Sequence, residues 1–281
     1  MSIIYLNGEY VALENAKISV LDRGLVLGDG LFETLGANHG VGEYLEEHYL
    51  RLEKSCEKLE LTLPIERQDL RQIIRVLEEK NSFGKAVVRL TITRGVGGKG
   101  LSFPKNVEPT IIINYSPMPM IDPILYQEGV ALIVSSLRTQ AASGYDSGIK
   151  STNYLANIMA KHEADERGAY DALFLGAKDE IAEMTTASFF VVENGIIKTP
   201  QVSSGILPGI TRMKVIELAQ KLNMSVLEED IFIRDIEKWD GVFITSSIRG
   251  IMPVRQIDSW SIPKSIQIKE LQAEFLKFKA K

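Results

Sequence analysis

The chain contains 281 residues, of which 45% are hydrophobic and 25% are charged, and its formal net charge is -5 at pH 7. This composition is typical of a folded globular protein with one large or two smaller domains, and it excludes a disordered chain. The acidic balance, without any basic run, argues against nucleic acid as the main partner. No apolar stretch is long enough to span a membrane, and residues 1–4 lack the basic start of a signal peptide, so a cytoplasmic protein is expected.

The few cysteines and histidines limit the chemistry further. The single cysteine, Cys56, cannot form an internal disulfide, which agrees with a reducing compartment. Cys56 keeps helical spacing with Leu52 and Leu59, so a buried core thiol is expected rather than a catalytic one. The three histidines show no paired spacing, and no metal site is expected.

The first elements that the sequence predicts are short strands. Asn7-Gly8 is a strong two-residue turn signal, and it predicts a hairpin of strands over 3–6 and 9–11. A further strand is predicted over 17–20.

The segment 22–35 contains three glycines that resemble a nucleotide-binding loop at first sight. They do not follow the G-x-G-x-x-G spacing, and no βαβ unit comes after them, so a dinucleotide site is excluded. Tight turns and close backbone packing are compatible with these glycines.

Two amphipathic helices are predicted over 46–61 and 68–80, followed by alternating strands over 86–93 and 110–115. Together these elements form an α+β N-terminal domain. The proline-dense segment 116–123 lacks helix or strand periodicity and is the best domain boundary.

We therefore predict an N-terminal domain over residues 1–118, a linker over 119–123 and a C-terminal domain over 124–281. The functional prediction depends on a stretch of the second domain that begins at Ser147. Lys150 lies there, just ahead of a predicted helix with apolar residues at i, i+1, i+4 and i+5. The predicted buried face of this helix consists of Tyr154, Leu155, Ile158 and Met159.

Lysine alone is weak evidence because it is usually a solvated surface charge, but three later segments add polar groups. Glu183 lies on a predicted strand, in a hairpin of two paired strands. Gly209-Ile210-Thr211 begins a predicted helix, where unpaired N–H groups and the helix dipole favour an anion, although Thr211 is equally a plain N-terminal cap. Ser246 and Ser247 follow another strand and add hydroxyl donors.

The order and spacing of Lys150, Glu183 and the Gly209-Ile210-Thr211 helix start resemble those of the fold-type IV enzymes that use pyridoxal 5'-phosphate (PLP), the class IV aminotransferase family. This family includes branched-chain aminotransferases, D-amino-acid aminotransferases, (R)-selective amine transaminases and aminodeoxychorismate lyases. The resemblance covers nearly the whole chain. It implies an α+β fold with a small N-terminal α/β sandwich domain and a larger C-terminal domain with a β-barrel-like core, and it implies a homodimer.

The resemblance also implies a role for each candidate residue toward PLP. Lys150 would form the Schiff base and move the proton, and Glu183 would keep the pyridine nitrogen protonated so that the ring can withdraw electrons. Arg51, in a His-x-x-Arg-Leu motif, would contact the phosphate, with a simple salt bridge as the alternative. The other residues implied to bind PLP are Tyr154 at the 3'-oxygen and Gly209, Ile210, Thr211, Ser246 and Ser247 at the phosphate.

The substrate is less clearly indicated by the resemblance. D-amino-acid aminotransferases hold the substrate carboxylate with a tyrosine, an arginine and a histidine, and the matching residues here are Phe32, Lys99 and Leu101. Branched-chain enzymes carry a Tyr-x-Arg strand motif, of which this chain keeps Arg89 and loses the tyrosine. Arg249, just after the phosphate loop, is a further candidate for an anionic substrate group.

These residues favour an aminotransferase that moves an amino group between an amino acid, of branched-chain or D-amino-acid type, and a 2-keto acid. The glycine-rich run over 93–100 also resembles 4-amino-4-deoxychorismate lyase, which releases pyruvate and 4-aminobenzoate and stays open as an alternative. A non-catalytic PLP-binding protein is a third interpretation. A buried lysine opposite a carboxylate argues against it, because such groups are costly without a function.

Overall fold

The computed structural model describes residues 2–139 and 148–279, so Ser147 lies outside the described residues. The chain divides into two compact units. Unit 1 comprises Met1–Pro119 and Ile149–Asn153, and unit 2 comprises Met120–Gly148 and Tyr154–Lys281. The segment around Lys150 therefore groups with unit 1, although the sequence places it within residues 124–281.

Unit 1 is built on an antiparallel sheet whose strands run in the order β2-β1-β6-β5-β3-β4. The predicted hairpin is confirmed, with Asn7 and Gly8 both at positive φ in the turn. The strands are β1 (Ile3–Leu6), β2 (Glu9–Ala12), β3 (Gly30–Asn38), β4 (Val41–Gly42), β5 (Lys85–Thr93) and β6 (Thr110–Pro117).

The strand predicted over 17–20 is wrong. These residues form no strand, and Val20 is 76% exposed, so the apolar side chains have no core to pack against. Asp22 instead begins the short helix α1 (Arg23–Leu27) and accepts a hydrogen bond from the Gly24 N–H with its side chain. This N-cap fixes the entry to the segment that carries the three glycines.

Two longer helices, α2 (Leu45–Lys58) and α3 (Arg67–Asn81), confirm the predicted amphipathic helices and pack against the sheet. Their apolar faces meet the inward side chains of β3 and β5 in one core. Cys56 lies in this core, and its burial raises the pKa of the thiol to about 12, which agrees with an unreactive core residue.

Unit 2 contains a sheet in the order β12-β11-β10-β13-β14-β7-β8-β9, with β15 paired to β14. The pairs β14/β7, β7/β8 and β11/β12 are parallel, and the other pairs are antiparallel. The strands are β7 (Val130–Arg138), β8 (Asp171–Leu175), β9 (Ile181–Met184), β10 (Ser188–Glu193), β11 (Ile196–Thr199), β12 (Val226–Glu228), β13 (Gly241–Ser246), β14 (Gly250–Ile257) and β15 (Trp260–Ser261).

The central strands of this sheet are buried on both faces. In β10, Phe189 contributes to one core and Phe190 to the other, because successive side chains point to opposite faces. A short helix, α4 (Ile124–Glu128), precedes β7. Two longer helices, α6 (Ile210–Lys221) and α7 (Ile266–Lys279), cover the core that contains Phe190.

Helix α5 (Leu155–Glu166) confirms the predicted helix after Lys150, but its predicted buried face is wrong. Leu155, Ile158 and Met159 are 70%, 62% and 53% exposed. The helix instead packs against β7 and β8 through two fully buried alanines, Ala160 and Ala164. Small side chains allow the helix to approach the sheet closely. The large apolar residues from which the buried face was predicted therefore lie on the exposed face of the helix.

Candidate active site

The backbone around Lys150 is fixed to the first residues of β3. The Phe32 N–H donates to the Lys150 carbonyl at 2.9 Å, and the Thr152 N–H donates to the Gly30 carbonyl at 2.9 Å. Leu31 and Ser151 form an antiparallel bridge between these two bonds. The segment is thus joined to this part of the sheet by an isolated β-bridge, and the half-buried Lys150 side chain is carried by a hydrogen-bonded backbone.

The glycines of the 22–35 segment make room for the residues that follow Lys150. Thr152 Oγ1 and Asn153 Nδ2 donate to the Gly28 carbonyl at 3.0 and 3.1 Å. Gly28 has a φ of +68°, and a Cβ there would overlap Asn153 Oδ1. Close backbone packing, which the sequence left as an open explanation, therefore accounts for this glycine.

Three predicted site residues meet on unit 1. Lys150 Nζ lies 4.7 Å from the centre of the Phe32 ring, and the Arg89 guanidinium carbon lies 3.8 Å from it. Phe32 is opposite Thr91 in the β3/β5 register, so Arg89, two residues away along β5, is a same-face neighbour of the ring. Phe32 is buried and Arg89 is exposed, and both cations interact favourably with the aromatic face.

Arg51 lies in a buried ion cluster of the same unit. Its Nε and Nη2 donate to the two oxygens of Glu33 at 2.8 and 2.7 Å. His48 Nδ1 lies 2.7 Å from Glu33 Oε2 and donates to it, because a carboxylate can only accept. Burial alone would raise the pKa of Glu33, but the charge and hydrogen bonds of Arg51, together with His48, lower it to about 2. The salt bridge considered for Arg51 is present, and phosphate contact stays a prediction.

Lys99 lies in an exposed position of the glycine-rich loop. The base of this loop is held by Asp29, whose Oδ2 accepts from the Nε atoms of both Arg23 and Arg94 at 2.8 Å. Arg94 also donates to two carbonyls at the end of α2 and stacks on the Phe103 ring. No pattern in the sequence indicates this arginine–aspartate cluster.

In unit 2, Glu183 is half-buried on β9 and contacts the segment that leads into α6. Its Oε2 accepts a hydrogen bond from the Leu207 N–H at 3.1 Å, two residues before Gly209. Just beyond β9, the Thr185 carbonyl accepts from Asn157 Nδ2 of α5 at 2.7 Å. Tyr154 is the N-cap residue of α5 and is half-buried. The end of β9 thus connects Glu183 with the starts of two helices.

The N-terminus of α6 is compact and uncapped by a side chain. Gly209 is the N-cap, no side-chain cap bond is present, and Ile210 and Thr211 are buried in the first turn. Thr211 is therefore not the N-terminal cap that the sequence left open. A Cβ on Gly209 would lie 2.6 Å from Ser188 Oγ, so glycine lets the helix start approach β10 closely.

Ser246 and Ser247 lie next to this helix start through the strand register. Ser188 pairs with Thr245, the last residue before Ser246, across β10 and β13. The Thr245 hydroxyl is buried and has no hydrogen-bond partner among the described residues. Ser246 Oγ accepts from the Arg249 N–H at 3.3 Å and shapes the turn into β14. A serine-rich turn and an uncapped helix start therefore supply a group of donors for an anion.

These residues fit PLP in their chemistry. Within unit 1, the Lys150 amine on its hydrogen-bonded segment has the chemistry to bind the aldehyde of PLP. Within unit 2, the Glu183 carboxylate has the chemistry to pair with a ring nitrogen, and the closely packed start of α6 has the chemistry to bind a phosphate. No group of acidic, histidine or cysteine side chains suitable for a metal ion is found among the described residues. Across residues 2–139 and 148–279, no helix is long and apolar enough to cross a membrane.

Comparison with protein families places this geometry in a known class. The family model described as amino-transferase class IV matches residues 30–257, which is most of the chain. The chain belongs to this family, whose enzymes are PLP-dependent aminotransferases. The similarity that the sequence suggested is therefore confirmed.

Two relatives show how far the similarity extends. A protein of Methanocaldococcus jannaschii named "putative branched-chain-amino-acid aminotransferase" is 38% identical over 255 residues, covering 91% of this chain and 88% of that protein. A D-alanine aminotransferase of Listeria monocytogenes is 28% identical over 263 residues, covering 91% and 87%.

Solved structures confirm the fold class, the two-domain α+β fold of fold-type IV enzymes. The branched-chain amino acid aminotransferase of Escherichia coli superposes with a TM-score of 0.93 at 27% identity, over 98% of this chain and 94% of that chain. The branched-chain amino acid aminotransferase of Thermoproteus uzoniensis with norvaline gives a TM-score of 0.91 at 27% identity, over 99% and 94%. A Legionella pneumophila protein named "putative 4-amino-4-deoxychorismate lyase" gives 0.85 at 29% identity, over 95% and 97%.

Sequence reasoning missed two carboxylates that organise the arginines it selected. Glu33 binds Arg51, and Asp171 faces Arg249 with 3.9 Å between Asp171 Oδ2 and Arg249 Nη1. Both carboxylates lie within or beside apolar strand runs, and a charged residue in such a run is the signal that could have identified them.

Proposed function

We propose that this protein moves an amino group between an amino acid and a 2-keto acid, with PLP bound covalently at Lys150. The observation that supports this most directly is the hydrogen-bonded Lys150 segment, whose amine lies 4.7 Å from the centre of the Phe32 ring. A lysine that must both hold a cofactor and exchange protons needs such a rigid support, because proton transfer requires close and constant geometry. A solvated surface lysine would not need such support from the backbone.

Each candidate residue has a defined task in this proposal. When bound, PLP withdraws electrons from the bonds at the substrate Cα. Once the amino group of the substrate has displaced it from the cofactor, Lys150 would take the proton from the substrate Cα as a base and deliver it to C4' of the cofactor as an acid. Glu183 would pair with the ring nitrogen of PLP through a carboxylate that accepts a hydrogen bond from the Leu207 N–H at 3.1 Å.

The phosphate of PLP is assigned to the uncapped start of α6 and the turn after β13. Gly209, Ile210 and Thr211 offer backbone N–H groups and a hydroxyl, and Ser246 and Ser247 offer two more hydroxyls. Arg51 is assigned to the same phosphate, and Tyr154 to the 3'-oxygen of the ring. In this arrangement Glu33 orients Arg51 while Arg51 contacts the anion.

An L-amino acid of branched-chain type is the substrate that we propose, with D-amino acids as the alternative. The similarity to the M. jannaschii protein and to the E. coli structure supports the branched-chain type. Phe32 supplies an apolar wall, and Arg89 or Arg249 supplies a cation for a substrate carboxylate. Lys99, exposed in its loop, is a further candidate for that carboxylate. The homodimer, the cytoplasmic location and the domain boundaries at residues 118 and 124 stay predictions.

The test is the visible absorbance of purified, PLP-loaded protein during separate additions of L-leucine, L-glutamate, D-alanine, D-glutamate and (R)-1-phenylethylamine. We expect L-leucine and L-glutamate to bleach the band of the bound cofactor and a 2-keto acid to restore it. A response to D-alanine alone would move the assignment to the D-amino-acid type. If the band is present and no donor bleaches it, release of pyruvate from 4-amino-4-deoxychorismate becomes the leading function.

Lys150→Ala is the variant that tests the central residue. It should remove the visible band of covalently bound cofactor and reduce turnover by at least about three orders of magnitude, because both the attachment and the proton transfer are lost. Lys161→Ala, at an exposed lysine paired with Asp165, is the matched control and should keep both. Retention of band and turnover in Lys150→Ala would contradict the proposal.

A further inference from the structure

The turn between β13 and β14 holds the backbone of Arg249 firmly. The Arg249 N–H donates to Ser246 Oγ at 3.3 Å, and the Tyr126 hydroxyl donates to the Arg249 carbonyl at 2.9 Å. Because hydrogen bonds hold the Arg249 backbone on both sides of its Cα, only the side chain of Arg249 is free to change position. The position of the guanidinium therefore depends on the groups around it.

Three groups of unit 2 surround this guanidinium. Nη1 donates to Thr186 Oγ1 at 3.1 Å, and the guanidinium carbon lies 5.3 Å from the centre of the Tyr170 ring. Asp171 Oδ2 is 3.9 Å from Nη1, too long for a hydrogen bond but close enough for strong attraction inside a protein. Among the described residues, only one of the five N–H groups of Arg249 therefore has an acceptor.

Asp171 is a buried carboxylate with one unsatisfied oxygen. Its Oδ1 accepts from the Ala172 N–H at 2.8 Å and from Thr185 Oγ1 at 2.5 Å. Its Oδ2 has no hydrogen-bond partner among the described residues, although the side chain is only 2% exposed. Burial raises the pKa of this carboxyl, and the hydrogen bonds from Thr185 and Ala172, followed by the Arg249 charge, offset that effect only in part. A buried oxygen without a donor is costly, so its presence beside an arginine calls for an explanation.

The threonines that bind this pair come directly after the strand that carries Glu183. Thr185 binds Asp171 and Thr186 binds Arg249, and both threonines directly follow β9. Arg249 also lies two residues after Ser247 in the turn assigned to the phosphate. The Arg249 guanidinium thus donates to a residue that lies three positions after Glu183 in the sequence.

We propose that Asp171 is a positioning residue that holds the Arg249 guanidinium, without using its hydrogen-bond donors, so that Arg249 binds a carboxylate of the amino-acid or keto-acid substrate. This inference rests on the proposed function and adds to it the residue that orients the anion site. A planar guanidinium binds a carboxylate through two parallel N–H groups, and the distance of 3.9 Å leaves those groups for the substrate. Thr186 and the Tyr170 ring limit the rotation of the Arg249 guanidinium, and the charge of Asp171 determines the side toward which the guanidinium is attracted.

The test is a double-mutant cycle in the PLP-loaded protein with Asp171→Asn, Arg249→Ala and the double variant. Asparagine keeps the acceptor for Thr185 and removes the charge that faces Arg249. We expect Asp171→Asn to raise the KM for the amino acid about tenfold with kcat changed less than about twofold, because binding rather than chemistry is affected. In the Arg249→Ala background the same substitution should change KM by less than about twofold, since its effect passes through Arg249.

Glu180→Gln is the matched control. Glu180 is another buried carboxylate of unit 2, but it accepts from the Lys178 N–H and is absent from the contacts described for Arg249. It should leave KM unchanged. Additive effects of Asp171→Asn and Arg249→Ala would overturn the proposal, as would an unchanged KM in either single variant.

A binding measurement separates this inference from the proposed function. Calorimetric titration of the PLP-loaded protein with glutarate, an unreactive dicarboxylate, should show about tenfold weaker binding in Asp171→Asn and weaker binding in Arg249→Ala. If no amino donor reacts but glutarate binding follows this pattern, the proposed function fails and the role of Asp171 stands. If donors react and glutarate binds all variants alike, the function stands and the role of Asp171 is refuted.

Discussion

Two buried carboxylates of this molecule face an arginine, and their surroundings differ sharply. Glu33 in unit 1 has donors on both oxygens, two from Arg51 and one from His48, and its pKa is lowered to about 2. Asp171 in unit 2 keeps Oδ2 without a donor among the described residues, at 3.9 Å from Arg249, and its pKa is raised. Burial penalises both charges. At Glu33 the charge and hydrogen bonds of Arg51, together with His48, outweigh that penalty, whereas at Asp171 the hydrogen bonds from Thr185 and Ala172 and the more distant Arg249 do not. The hydrogen bonds of Glu33 stabilise the fold and orient Arg51, whereas Asp171 leaves most N–H groups of Arg249 without an acceptor among the described residues.

The largest effect expected from this comparison is on stability at Glu33. Glu33→Gln should lower the free energy of unfolding by about 3–5 kcal/mol, because it leaves the nearly buried Arg51 without its carboxylate. Urea titration followed by circular dichroism measures the change. Glu46→Gln is the control, since the half-exposed ion pairs of Glu46 with Arg67 and Arg71 should each contribute less than about 1 kcal/mol. Equal losses in the two variants would contradict the distinction.

Acid should weaken the protein through the same carboxylate. The folded pKa of Glu33 lies below the ordinary value of 4.5, so its stabilising contribution is complete above pH 4.5 and is lost as the pH falls toward about 2. The unfolding midpoint should therefore fall over this range in the native protein. In Glu33→Gln the fall should be smaller, and an identical acid profile would show that Glu33 is not the group responsible.

The smallest stability effect is expected at Asp171. Asp171→Asn should change the free energy of unfolding by less than about 1 kcal/mol, because a neutral amide is easier to bury and no direct bond to Arg249 is lost. Urea titration of Asp171→Asn and Glu33→Gln in parallel compares the free energies of unfolding of the two variants. A loss as large as that of Glu33→Gln would mean that Asp171 is a structural partner of Arg249, and that any change in KM follows from misfolding.

The elements with strong periodicity were predictable from the sequence. The Asn7-Gly8 hairpin, helices α2 and α3, and the helix after Lys150 all follow from local patterns and are confirmed. The strand over 17–20 failed because β-branched and apolar residues there lie on the surface, where tertiary context outweighs propensity. The buried face of α5 was also wrong, because two alanines make the contact with the sheet.

The candidate site was predictable only where a motif exists. The order and spacing of Lys150, Glu183 and the helix start at Gly209 resemble those of a known family, so the sequence could propose them as candidates. Glu33 and Asp171 act through residues 18 and 78 positions away, Arg51 and Arg249, and no local pattern encodes such pairs. Only the folded chain shows which charges meet.

The pairing of residues 150–152 with β3 has a consequence for any shortened form of this protein. A fragment that ends at Pro119 would contain the six strands of unit 1 but not the segment that binds the Phe32 N–H and the Gly30 carbonyl. Those groups would become part of an open strand edge beside the apolar Leu31 and Phe32. Such an edge favours self-association, so the N-terminal unit is expected to aggregate when it is produced without the later part of the chain.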